Sequence, residues 1–110
     1  MTKNLISAVL MLMSSTVLAG GSITWGEITA IAFQNKDLML YSDDWQNPNG
    51  CEIANAVILK HTDSNFDKAY SLILAAYMSG KKVVAWSDEC LSFDGKTYNH
   101  IRGFKYLQVK

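Results

Sequence analysis

One proline, two cysteines, two histidines and no surplus of either charge are the scarcities that bound this sequence. Ten basic side chains against ten acidic ones leave no basic stripe to neutralise a phosphate backbone, which argues against nucleic-acid binding. No apolar run approaches the roughly 20 residues that a membrane-spanning helix needs. Catalytic signatures are missing too. There is no Gly-x-Ser-x-Gly, no phosphate-binding glycine loop and no His-Glu-x-x-His. Without Cys-x-x-Cys spacing, and with only His61 and His100 to assist, no metal or cofactor set is legible. The adjacent carboxylates Asp43-Asp44 and Asp88-Glu89 would point apart on a strand, and calcium needs more oxygen ligands than they offer. The chain is therefore expected to be no enzyme.

What is present begins with a leader-like start. Lys3 precedes an apolar run, Leu5 to Met13, broken only by Ser7; Ser14-Ser15-Thr16 and Val17-Leu18-Ala19 follow. A basic head, a short apolar stretch and compact residues at 17 and 19 are the pattern of a secretory signal cleaved after Ala19. The competing reading, an uncleaved anchor, needs a run about twice as long. Residues 20–110 would then be one domain, secreted or periplasmic. Losing Lys3 leaves its acidic residues one ahead of its basic ones. In an oxidising compartment the pair Cys51 and Cys90 reads as a disulfide enclosing Glu52 to Glu89, against the alternative of two free or metal-binding thiols.

Ser22 to Phe33 is rich in β-branched and aromatic residues with apolar side chains on both alternations, as in a strand of a covered or closed sheet; Gly26 marks a bulge or bend. Asn35-Lys36-Asp37 is a turn into a short strand, Leu38 to Tyr41. The polar loop Ser42 to Gly50 carries Pro48 and an Asn49-Gly50 turn signal, and Cys51 to Lys60 follows as a third strand. The period then changes to that of a helix. Thr62 to Asn65 supply cap candidates, and Phe66, Ala69, Tyr70, Ile73, Leu74, Ala76 and Tyr77 form the core stripe. Gly80 is the expected left-handed stop. Val83 to Ser87 reads as a fourth strand. Asp88 to Asn99 reads as a loop with an Asp94-Gly95 turn, and Ile101 to Val109 as a fifth strand. The fold class is therefore mainly β with one helix, in the order β-β-β-α-β-β. That is the order of an OB-like small barrel; another small α+β sandwich of the same order is the alternative.

Aromatic residues are the candidates for binding, because sugar C–H faces stack on exposed rings. Trp45, among Asp43, Asp44, Gln46 and Asn47, is expected to be exposed; Trp25 and Tyr98 complete the candidate ligand set with Asp43 and Asp44, and Trp86 is expected in the core. Behind the helix's core stripe lie Ser71, Leu72, Ala75 and Met78, with Asp67 and Lys68 the only charges. A solvated face is normally richer in charge. Either another chain covers this face or Leu72 and Met78 reach back to the barrel.

Gly26-x-Ile28, the central Cys51 and the helix ending Ala75-Ala76-Tyr77-Met78-Ser79-Gly80-Lys81-Lys82-Val83-Val84 resemble the B subunits of AB5 toxins, above all the subtilase-cytotoxin and pertussis-like group. The resemblance implies an OB barrel in a ring of five, helices lining the centre and glycans bound outside. In the sialic-acid-binding members a serine precedes the first-strand glycine; here Trp25 stands there. The expected function is an exported non-enzymatic binding module for a glycan or protein. A secreted or periplasmic inhibitor presenting Asp43–Gly50 to an enzyme is the second reading, and a small hydrolase the third.

Overall fold

The computed structural model describes residues 20–102 and 106–110; the leader-like segment 1–19 and residues 103–105 lie outside the described residues. The chain runs β1 (Gly21–Ser22), β2 (Gly26–Glu27), β3 (Ala30–Gln34), β4 (Asp37–Tyr41), β5 (Ile53–Leu59), α1 (Phe66–Ser79), β6 (Lys82–Phe93), β7 (Lys96–Ile101) and β8 (Leu107–Val109). Hydrogen-bonded neighbours follow the path β1-β6-β7-β5-β4-β3. All pairings are antiparallel except that of β5 with β7. The two ends of the path, β1 and β3, belong to one stretch of chain. Its first half (β1, β2) pairs with β6 and its second half (β3) with β4. A single stretch thus serves both ends of the sheet, and the fold is mainly β and OB-like, with one helix among the described residues.

The first stretch is not one continuous strand. Thr24 at φ 68° breaks it, and its N–H turns back to Ser22 Oγ. Gly26 is required here by contact rather than by a bulge. A Cβ at this position would stand 2.6 Å from Cδ1 and Nε1 of Trp45 and 2.7 Å from Ser42 Oγ. The turn at Asn35-Lys36 has positive φ at both residues, the geometry that suits a two-residue hairpin.

The second half of the barrel differs most from the sequence reading. β6 runs on through Asp88, Cys90 and Phe93, and the expected loop Asp88–Asn99 is a hairpin closed by Asp94-Gly95, again with positive φ at both positions. The polar residues there alternate across an edge of sheet instead of leaving it. An Asp-Gly pair between Phe93 and Tyr98 is the hairpin signal that carries this information. The expected fifth strand begins earlier, at Lys96, and resumes as β8, where Val83 faces Val109 and Ala85 faces Leu107.

The helix forms where its periodicity put it. Gly80 (φ 69°) ends it, with Lys81 N–H reaching Ala76 O at 3.0 Å. At its start Asn65 is left-handed and makes no side-chain cap; among the cap candidates Asp63 is occupied elsewhere, accepting from Lys60 N–H at 2.8 Å. Ala69, Ile73 and Ala76 are the buried side of α1, joining Ile23, Leu38, Leu40, Val57, Leu59 and Ile101 in one core. Phe66 and Tyr70 pack partly against that core, while Leu74 and Tyr77, expected in the stripe, are exposed. The sheet fully covers only the strip Ala69, Ile73 and Ala76 of the helix.

Cys51 and Cys90 form the disulfide. It fastens the end of the Ser42–Gly50 loop to the middle of β6.

Candidate interaction surface

The residues singled out for ligand contact do not come together. Trp45 is 5% exposed and belongs to the core, so the expected exposure is wrong. The indole is drawn inward out of a polar loop: Nε1–H donates to Val83 O at 3.2 Å, and the ring lies against Gly26. Trp86, expected in the core, is 37% exposed on β6 and donates its Nε1–H to Asp88 Oδ1 at 2.8 Å. The register explains the exchange, since Val83 and Ala85 take the inner positions of β6 and Trp86 falls on the outer alternation. Trp25 is half-buried with the Lys110 ammonium 5.0 Å from its ring centre, a cation–π contact. Asp43 is exposed. Asp44, also exposed, accepts the Glu27 N–H through Oδ2 at 3.3 Å. Tyr98 lies on β7, half-buried, edge-on to Phe93 at 6.3 Å between centroids. Burial, the nearby Tyr41 and Asp94 together push its hydroxyl above the usual phenol range.

The helix face is different, because all four of its predicted residues share a surface. Ser71, Leu72, Ala75 and Met78 are exposed, and Met78 is 76% accessible. Met78 therefore does not reach back to the sheet, whereas Leu72, 40% exposed, lies partly covered. Beside them, Asn65, Lys68, Ala69, Leu72 and Leu107 line an open groove of about 240 Å³ between the first turns of α1 and β8. On the other flank Phe33, 55% exposed, meets Tyr70 edge-on at 5.4 Å, with Leu74 and Tyr77 close by in the helical sequence. Both serine hydroxyls on α1 turn inward to its backbone, Ser71 Oγ to Asp67 O and Ser79 Oγ to Ala75 O. They therefore add little polarity to the surface. Leu, Met and Tyr on a face this poor in charge form the kind of patch that marks an interaction site.

The histidines are tied into carboxylates. Asp37, buried, accepts from both the backbone N–H (3.0 Å) and the ring Nδ1 (2.8 Å) of His61. Burial works against ionisation of Asp37, but these contacts with His61 outweigh it and hold its carboxyl below the usual range. His100, expected in a solvated loop, is buried on β7. Its Nε2 lies 2.8 Å from Asp63 and its Nδ1 3.1 Å from Glu89, which Arg102 also approaches at 3.5 Å. These pairs fasten the crossing from β5 to α1 onto β4 and β7. The ring partners found among the described residues are carboxylates. Among the described residues no group of three or more His, Cys, Asp or Glu is gathered to hold a metal ion.

The Asp37 contact has a signed pH consequence. Because its folded-state affinity for the proton is reduced, its stabilising contribution is complete above about pH 4, the ordinary carboxyl range, and fades as pH falls through the lower folded value. Asp37→Ala should cost about 1–2 kcal/mol at neutral pH, and the gap from the parent protein should narrow in acid. Urea melts at pH 7 and below pH 3 check this; an unchanging gap would refute it.

The geometry defines a class: a mainly β, OB-like domain with one disulfide and, among the described residues, a single helix whose outer face is apolar and exposed. No protein-family model matches the chain, no curated protein matches it, and no solved structure matches it.

Proposed function

We propose that this chain is an exported binding module without catalytic chemistry. It joins like copies through the outer face of α1 and offers the outside of its barrel to a glycan or a protein. The single observation that carries this reading is the uncovered face Ser71, Leu72, Ala75 and Met78 beside an open groove. Support for export comes from the leader-like residues 1–19 and from a disulfide, a bond that persists in oxidising compartments. The resemblance to AB5-toxin B subunits favours a ring of five, in which such helices would line the centre. With Trp45 buried and Trp25 under Lys110, Tyr98 with Phe93 is the best remaining place for a sugar ring.

The test is the assembly state. Native mass spectrometry and sedimentation of the protein should find a closed oligomer, with five copies expected. Met78→Glu, at a site the barrel does not touch, should leave the melting curve in place. The same change should raise the concentration at which the oligomer falls apart by at least about tenfold, the effect of losing roughly 1.4 kcal/mol. A monomeric parent protein would refute assembly. It would favour the inhibitor reading, which one observation supports: the Ser42–Gly50 loop is pinned by Trp45, by Gln46 N–H to Ile23 O and by Asn49 to Ser87, leaving Asp43, Asp44 and Gln46 outward on a rigid support. A glycan array with the parent protein and Tyr98→Ala then tests the ligand; no binding to any sugar would discard the glycan.

A further inference from the structure

We infer that Asn49-Gly50 is a deamidation site held shut by the native fold, so that the amide is lost only from chains whose disulfide-fastened loop has opened, and its loss bars their return. The inference does not depend on what the protein binds. Its chemistry needs water alone. Glycine has no side chain, so the Gly50 backbone nitrogen can approach Asn49 Cγ with little hindrance. A bond forms between Gly50 N and Asn49 Cγ, the Cγ–Nδ2 bond breaks, and Nδ2 departs as ammonia, carrying the proton given up by the Gly50 amide. Water then opens the five-membered imide at either carbonyl, giving aspartate or isoaspartate.

In the fold both reacting nitrogens are engaged. Gly50 N–H donates to Asn47 O at 3.3 Å. Asn49 Nδ2 faces Ser87 O at 3.1 Å, Ser87 Oγ at 3.0 Å and Asn99 Oδ1 at 3.0 Å. A carbonyl oxygen only accepts, so Ser87 O requires the amide nitrogen, and not its oxygen, on that side. Asn47 holds the next link. Its Oδ1 accepts from Cys51 N–H at 2.9 Å and from Asn99 Nδ2 at 2.8 Å, and its own Nδ2 donates to Cys51 O at 2.7 Å. Cys51 is bonded to Cys90. Swinging Cγ onto the Gly50 nitrogen breaks this set.

The product cannot rebuild it. A new carboxylate at position 49 would confront Ser87 O and Asn99 Oδ1, neither of which can donate, and Ser87 Oγ could donate to it only by giving up its bond to Glu89 O. Asn99 is fully buried, and turning its amide to help would take Nδ2 away from Asn47. Isoaspartate would add a methylene to the main chain immediately before the Gly50-Cys51 pair. Leaving buried acceptors facing one another is costly, so the modified chain is excluded from the native loop.

The experiment incubates the purified, oxidised protein beside the same protein reduced and held in urea, at one mildly alkaline pH. Peptide mass spectrometry maps deamidation to Asn49. The native sample should react at least about tenfold more slowly, because the loop must first open. Asn49→Asp should lower the melting temperature by roughly 5 °C or more. If that variant does not fold, chains aged in urea are reoxidised and refolded, and deamidated molecules should be depleted from the native pool. Equal reaction rates in the two samples would overturn the protection. A variant that melts with the parent, or a refolded pool as deamidated as its starting material, would overturn the exclusion.

Discussion

Trp45→Ala is expected to destabilise the fold strongly rather than to remove a ligand contact. The indole fills the space between Gly26, Ser42 and the Val83 carbonyl. Truncating a buried tryptophan costs about 3–5 kcal/mol through lost burial and the cavity left behind. The Val83 carbonyl loses its indole N–H donor as well. Small domains have about 5–15 kcal/mol in total, so the variant should lose a large share of the stability of the fold. Gly26→Ala approaches the same contact from the other side, since its Cβ would overlap the indole and Ser42 Oγ. Far-ultraviolet circular dichroism and urea melts on both variants check the pair. Trp86→Ala serves as the control, because that ring is partly exposed and should cost much less. A Trp45→Ala protein within about 1 kcal/mol of the parent would contradict the buried placement.

Removing the disulfide should have an effect of similar size by a different route. The bond joins residues 39 apart, and closing a loop of about that length restricts the unfolded chain by roughly 3.5–4 kcal/mol. The double variant Cys51→Ala, Cys90→Ala should therefore melt roughly 15–30 °C lower than the parent. The loss also frees the Asn47–Cys51 corner, whose side chains bridge to Ser87 and Asn99. Thermal melts of the oxidised, reduced and double-variant proteins give the test. Near-coincident melts would mean that the side-chain bridges alone hold the corner.

Which helical residues share a face was legible in the sequence, although Leu74 and Tyr77, expected in the core stripe, are exposed; which strand residues face inward was not. Leu72, Ala75 and Met78 could be placed together because helix geometry depends on neighbours three and four positions away. Which side of a strand faces inward depends on register with a distant partner. Trp45 and Trp86 show the consequence. One sits in a stretch of polar residues and is buried; the other sits among Val83, Val84 and Ala85 and is partly exposed. His100 was hidden for the same reason, since its carboxylate partners Asp63 and Glu89 stand 37 and 11 residues away. The β6–β7 hairpin has a local sign, Asp94-Gly95, but how far the strands extend on either side of it is set by their pairing with each other.

By itself the sequence determined the features that short-range chemistry decides. It placed the helix and its glycine stop, the tight turns, the predominance of strand, and, with two cysteines, the only intramolecular disulfide available. Tertiary structure alone decided how far β6 extends, which tryptophan is enclosed, where the histidines find carboxylates, and which helical residues remain uncovered. Those outcomes depend on pairing between segments far apart in the chain, and a one-residue change in such pairing turns every strand side chain to the opposite face.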